Sequence, residues 1–366
     1  MIGRNHNALW EEIHRLQSDA VDESLQNLAR ARRMFELWLS PPAVRVGLTP
    51  KEVIFQENKV KLYSYRGGTP VKPIPVLIVY ALINRLYILD LYPGRSFIEY
   101  LVNEGLQVYA VDWGVPGDED RSTPFDYFVE GYLDKMVKRV IESAGVDQIT
   151  LFGYCIGGTL ASIYAALHPE RVRNLVLLTT PIDFSKGGYL KTAVHRDHFP
   201  VDALVDTYGN IPPWFVEAGF KILNPMGDVV KWRNFWKHLT DDDFLKNFLA
   251  IEKWLNDNVP FPGEAYRKFI KELYQENRLI KGTLEMNGRR VDLRRITANH
   301  LSVAGQEDQI VPPDSAIAIK KMISSKDNEA IVLPGGHVGV IIGGRALKSA
   351  WPRMASWMLE RSQPDP

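Results

Sequence analysis

Apolar positions recur along this chain with two different periods, and the switches between them mark its elements. Near the N-terminus Leu9, Ile13, Leu16 and Ala20 follow 4-3-4 spacing. After a one-residue slip, Val21, Leu25, Leu28, Ala31, Phe35 and Leu39 continue in steps of three or four. This predicts a long amphipathic helix, or two, ended by Pro41-Pro42. From Val53 the period falls to two. Val53–Gln56 and Val60–Tyr65 read as short strands with Glu57-Asn58 as the turn. Pro75–Tyr80, Gln107–Val111, Gln148–Phe152 and Val172–Leu178 are apolar, β-prone runs, as expected of strands buried on both faces. Helical stretches lie between them, over Phe97–Asn103, roughly Phe125–Ser143, and Ala161–Leu167. Strands alternating with helices predict an α/β protein with a doubly wound, mostly parallel sheet. Its functional loops, at Ala81, Asp112, Cys155 and Thr180, then open on one edge, at the carboxyl ends of the strands.

Between about Ser185 and Ile296 this rhythm breaks. Strand signals vanish, prolines punctuate the chain, and Trp214, Trp232, Trp236, Trp254 and many phenylalanines and tyrosines gather in helical spacing. The density of aromatics exceeds what a helix layer needs for its scaffold, which predicts a cap (lid) inserted after the sixth strand. The sheet resumes at His300–Ala304. A helix follows at Ser315–Ile323, the last strand at Glu329–Leu333, and a terminal helix at Leu347–Leu359 with a kink at Pro352. The expected organisation is an N-terminal helical segment at 1–45, a catalytic core from 46–184 and 297–366, and a cap at 185–296.

Composition narrows the function classes. Lys plus Arg and Asp plus Glu are 44 each, so no global field draws the chain to nucleic acid or anionic lipid. A single cysteine suits a reducing cytoplasm, and no apolar run is long enough to span a bilayer. No histidine, cysteine or carboxylate spacing suggests a metal site, and none suggests a cofactor.

That lone cysteine sits in the most informative stretch. Gly153-Tyr154-Cys155-Ile156-Gly157-Gly158 lies between an apolar strand and a helix that His168-Pro169 stops. Strand, sharp turn and helix with G-x-C-x-G at the turn is the nucleophile-elbow pattern, with cysteine in place of serine. Glycines at 153 and 157 leave room where side chains would collide with the neighbouring strand and helix, and the start of a helix favours the thiolate. A thiol nucleophile needs a base, and the base an orienting acid. Cys155, Asp308 and His337 follow in the α/β-hydrolase order of nucleophile, acid and histidine, each in a loop after an expected strand. Glu307, Asp314 and Asp183 are alternative acids. The oxyanion hole is expected from the backbone N–H of Ile156 and one from the Ala81–Asn84 loop, taken as Ile83.

Together these residues resemble the polyhydroxyalkanoate synthases, among them the short two-subunit types of class III and class IV. The likeness runs from about Gly47 and rests on Gly47-Leu48-Thr49-Pro50-Lys51-Glu52-Val53, Val79–Asn84, Val111-Asp112-Trp113-Gly114 and the cysteine box. It continues through Gly209-Asn210-Ile211-Pro212, Gly263-Glu264-Ala265-Tyr266-Arg267, Val291-Asp292-Leu293 and Gly336-His337-Val338. Gln309 departs from the family, which commonly has histidine after the acid. Tyr154 looks more like class IV, whereas Pro334–His337 and Val311-Pro312-Pro313 look more like class III. The resemblance implies transfer of (R)-3-hydroxyacyl groups from coenzyme A to a growing polyester through a Cys155 thioester. It also implies a second synthase subunit, a homodimer or hetero-oligomer, and a location on cytoplasmic polyester granules. A cysteine hydrolase, thioesterase or depolymerase, is the alternative.

Overall fold

The computed structural model describes residues 3–65, 67, 74–223 and 225–362. The chain divides into two compact units, one of Met1–Arg45 with Pro225–Lys253, the other of Val46–Asn224 with Trp254–Pro366.

The larger unit is built on an eight-stranded sheet in the order β1-β2-β4-β3-β5-β6-β9-β10. At one end of the sheet the antiparallel strands β1 (Lys51–Glu57), at the edge, and β2 (Val60–Tyr65), beside β4, turn at Asn58, where φ is 53°. The rest of the sheet runs parallel: β3 (Val76–Val79), β4 (Val108–Asp112), β5 (Ile149–Tyr154), β6 (Val172–Leu178), β9 (Asn299–Gly305) and β10 (Asn328–Leu333). Strands β3 and β5 are buried throughout, which is why both faces had to be apolar. Helices α2 (Phe97–Asn103), α3 (Asp134–Ala144) and α4 (Ile156–Leu167) cross between strands as expected. Their parallel connections bring the ends of β3, β4, β5 and β6 to one edge.

Three departures from the expected elements have local causes. The first turns of the helix expected from Phe125 are wound as a π-helix at Tyr127–Leu133, as are Phe269–Gln275 and Ala346–Ala350. Within the strandless insertion, β7 (Glu285–Met286) and β8 (Arg289–Arg290) form a small hairpin. Its turn is Asn287-Gly288, both with positive φ, the Asn-Gly signal of a two-residue hairpin. The helix expected at Ser315–Ile323 shortens to Pro313–Ala316 followed by a 3-10 turn at Ile317–Lys321. Pro352 does stand at the start of a fresh helix, Trp351–Glu360.

In the smaller unit α1 is a single helix, Gly3–Leu39, about 55 Å long at 1.5 Å per residue. The side chain of Leu9 lies outside the described residues. Leu37 packs on a cluster of Phe235, Leu239 and Leu245 that also gathers Phe244, Phe248 and Leu249. Most of the expected stripe is not covered: Leu16, Val21, Leu25, Leu28, Phe35 and Leu39 are exposed, Leu28 by 68%. No helix among the described residues is long and apolar enough to cross a membrane.

Candidate active site

The elbow is a close approach of backbones. A Cβ on Gly153 would stand 2.2 Å from Gly158 Cα, and one on Gly157 would stand 2.2 Å from Val79 O and 2.5 Å from Tyr80 O. So α4 begins directly against the end of β3, where only glycine fits. Cys155 takes φ 55° and ψ −128°, a conformation that costs a non-glycine residue about 1–3 kcal/mol and persists only where its surroundings fix it. Its N–H donates to Leu178 O (3.0 Å), pinning the turn to the end of β6. Ile156 is the first residue of α4, so its N–H has no intrahelical acceptor.

Asp308 and His337 come from the loops after β9 and β10. His337 Nδ1–H donates to Asp308 Oδ2 (2.8 Å), and the other carboxylate oxygen accepts from Ile310 N–H (2.9 Å) and Val311 N–H (2.8 Å). The carboxylate is thereby aimed. Glu307 fastens the two loops together, its N–H donating to Gly335 O (3.1 Å) and its Oε2 accepting from Gly335 N–H. Burial opposes a charge on His337. The Cys155 charge, hydrogen bonds to Asp308 and Cys155, and the Asp308 charge outweigh it, and together raise its pKa from 6.5 to about 10. The structure thus brings Cys155, His337 and Asp308 together in one chain, with Cys155 only 9% exposed.

The alternative acids are occupied elsewhere. Asp183 Oδ1 accepts from Ser185 N–H and Oγ–H and from Asn277 Nδ2–H (2.8 Å). Burial pushes its carboxyl up, but the hydrogen bonds from Ser185 and Asn277 and the Lys186 charge win and hold it below the usual range. Asp314 lies in the first turn of the Pro313–Ala316 helix. Ile83 is buried in the turn after β3, and its carbonyl accepts Val259 N–H (3.1 Å).

Sequence reasoning took Tyr154 only as a subtype marker. Its ring stacks on the His337 imidazole, with centroids 5.7 Å apart and planes 28° from parallel. Tyr274, noted before only among many aromatics, also comes within electrostatic reach of Cys155 and Asp308. Among the described residues no group of three His, Cys, Asp or Glu side chains could hold a metal ion.

Other landmark stretches supply polar ties that hold loops together. Thr49 Oγ1–H donates to Asp90 (2.6 Å), and Gly47 N–H donates to Asp90 O (2.7 Å). Asn210 Nδ2–H donates to Gly117 O (2.6 Å), and Arg267 pairs with Asp202, Asp206 and Glu264.

Comparison with known proteins speaks to the fold and the family. The alpha/beta hydrolase fold family profile matches residues 74–343, and that of the poly-beta-hydroxybutyrate polymerase (PhaC) N-terminus matches 28–101. The chain is 39% identical over 345 residues to the poly(3-hydroxyalkanoate) polymerase subunit PhaC of Allochromatium vinosum, covering 93% of this chain and 97% of that one. The subunit of the same name from Haloferax mediterranei is 38% identical over 357 residues, covering 97% of this chain and 70% of the relative. That of Synechocystis is 37% identical, with 88% of each covered. Among solved structures, a soluble variant of Saccharomyces cerevisiae monoglyceride lipase superposes with a TM-score of 0.55 at 14% identity, covering 89% of this chain and 99% of the lipase. The monoacylglycerol lipase of Paleococcus ferrophilus gives 0.52 at 20% identity, covering 82% and 99%. Likeness at that level speaks for the fold alone.

Proposed function

From the premise that the chain belongs to the poly(3-hydroxyalkanoate) polymerases, we propose that it builds polyhydroxyalkanoate by covalent acyl transfer through Cys155. The observation that supports this most is the buried chain from Asp308 through His337 to the strained elbow cysteine. The substrate is a 3-hydroxyacyl thioester of coenzyme A. The Cys155 thiolate attacks its carbonyl, and the developing oxyanion meets the Ile156 N–H, with an N–H from the turn at Ile83 as second donor. The carbon–sulfur bond to coenzyme A breaks, and His337 gives its proton to the departing thiolate. One thioester has replaced another, so this step is close to balanced.

Acylation also changes the base. Cys155 no longer carries a charge, which removes a leading cause of the raised His337 pKa. His337 is then free to take the proton of an incoming 3-hydroxyl, whose oxygen attacks the acyl carbon; the ester bond forms, the acyl carbon–Sγ bond breaks, and Cys155 returns as a thiolate beside protonated His337. Asp308 holds the imidazole throughout. Water must be kept from the acyl-enzyme. The parts of the insertion that lie within the sheet's own unit serve as the cap: Val259 N–H reaches the Ile83 turn, and Tyr274 packs on Phe184. Beyond the catalytic chain, the exposed stripe on α1 receives a second, smaller synthase subunit or the granule surface.

The deciding experiment mixes purified chain with 3-hydroxybutyryl-CoA and follows coenzyme A release and turbidity together. Polymer that depends on Cys155 supports the proposal. Release of free 3-hydroxybutyrate without polymer would identify a hydrolase instead.

A further inference from the structure

The residue between Gly153 and Cys155 is a member of the elbow to which the acyl transfer described above gives no task. Tyr154 is the last residue of β5, paired in register with Leu178 of β6. Its backbone is held there, because the next N–H, that of Cys155, donates to Leu178 O (3.0 Å). Its side chain is enclosed, the residue being 1% exposed. The ring lies against the imidazole of His337, with centroids 5.7 Å apart and planes 28° from parallel, an offset stack. The His337 side chain is itself almost covered, and its Nδ1–H donates to Asp308 Oδ2 (2.8 Å). That bond fixes one atom of the imidazole but leaves its plane free to tilt about the bond. A ring packed on the face removes the tilt. The two contacts together hold the base in one plane.

The face of an aromatic ring is negative and attracts a cation lying over it, most strongly where water is excluded. The charges that act on His337 come from Cys155 on the elbow and Asp308 in the loop after β9. Glu307, in that same loop, turns its Oε2 to Gly335 N–H. Tyr154 and Tyr274 are neutral phenols, since burial first and the Cys155 charge next push both up. Tyr154 therefore brings no charge of its own to the imidazole, only the face of its ring. The geometry points to Tyr154 as a positioning residue, whose ring sets the plane of the His337 imidazole and, through that face, favours the protonated form that gives its proton to departing coenzyme A. This rests on the covalent Cys155 reading, in which His337 is the acid of the acylation step.

The test changes the electrons of the ring and keeps its shape. Tyr154→Phe retains the negative face, whereas a trifluorinated phenylalanine at the same position withdraws electrons from it at nearly the same size. In protein carrying isotope-labelled histidine, the resonance of His337, identified by its loss in His337→Gln, is titrated against pH. Single-turnover acylation of Cys155 by 3-hydroxybutyryl-CoA is followed over the same range. The wild-type midpoint, raised to about 10, should move by less than about 0.3 pH unit in Tyr154→Phe. With the trifluorinated ring it should fall by about 0.5 to 1.5 pH units, roughly 3- to 30-fold in the proton equilibrium. The alkaline limb of the acylation rate should fall with it. A role in packing alone would leave both where they are, because the fluorinated ring fills the same space. An unchanged midpoint with that ring, or an equal fall in Tyr154→Phe, overturns the proposal. A midpoint that falls as expected, in protein that forms no acyl adduct on Cys155 at any pH, upholds the hold of the ring on His337 and removes the covalent reading instead.

Discussion

The elbow and the smaller unit are held together in opposite ways. At the elbow, backbone meets backbone: Gly157 against the carbonyls of Val79 and Tyr80, Gly153 against Gly158, and Cys155 N–H on Leu178 O. Every position is constrained from several sides, which is what sustains a cysteine at φ 55°. In the smaller unit cohesion comes from a few side chains around Phe235, Leu239 and Leu245, while α1 turns Leu28 and Trp38 outward, 68% and 75% exposed. Rigidity is concentrated where atoms must be placed to within a fraction of an ångström, and uncovered apolar surface where another body can be met.

Breaking the rigid region should give the largest effects. Cys155→Ala should abolish polymer formation, by roughly a thousandfold or more, with the fold intact, because alanine fits the same turn. Cys155→Ser should leave slow activity, since a hydroxyl is harder to deprotonate; near-normal polymerisation by the serine variant would sink the thioester step. His337→Gln should cost about 10²- to 10⁴-fold in both coenzyme A release and elongation. Asp308→Asn should follow it, whereas Asp183→Asn should loosen the tie to Asn277 and change turnover little. The reverse pattern in steady-state rates would move the acid to Asp183.

The elbow was legible in the sequence because its constraints are local: strand, glycine, nucleophile, glycine, helix. The sheet strands were legible because burial on both faces writes continuous apolar runs such as Val76–Val79 and Val172–Leu178. Chain order favoured Asp308 as the acid, but order alone does not separate it from Glu307, Asp314 and Asp183, since that depends on where side chains point. Asp308 aims at His337, Glu307 at Gly335 N–H, and Asp183 at Ser185 and Asn277. The joining of Pro225–Lys253 with the N-terminal segment was also out of reach, because contacts such as Leu37 with the Phe235 cluster are set by side chains far apart in sequence. The hairpin at Asn287-Gly288 could have been found from that dipeptide.

Two further measurements sharpen the picture of the rigid region. Gly157→Ala should destabilise the protein by about 1–3 kcal/mol or more in urea unfolding, because the new methyl meets carbonyl oxygens rather than movable side chains. A smaller effect should come from pH. The His337 pKa is raised from 6.5 to about 10, so its contribution to stability is fully present below pH 6.5 and declines as pH rises toward 10. Alkylating Cys155 removes one of the charges responsible and should flatten that decline. A decline of equal steepness in alkylated protein would mean that Asp308 alone sustains the protonated imidazole.

The smallest effect on stability should come from the other region. Leu25 and Leu28 face solvent on α1, so replacing both with Gln removes little buried area and should change unfolding free energy by no more than about 0.5 kcal/mol. If the stripe meets a second synthase subunit, the same change should nevertheless weaken stimulation of polymerisation by that subunit, since apolar area is what such a contact would bury. The two readouts must therefore separate, with stability retained and stimulation lost, while iodoacetamide labelling of Cys155 continues at the wild-type rate. A loss of 2 kcal/mol or more would instead mean that the stripe is sealed within the chain itself, on the scale of core truncations. Unchanged stimulation in a stable variant would take the partner off α1. Either result would leave the catalytic chain from Asp308 to Cys155 untouched, because no atom of that chain belongs to the smaller unit.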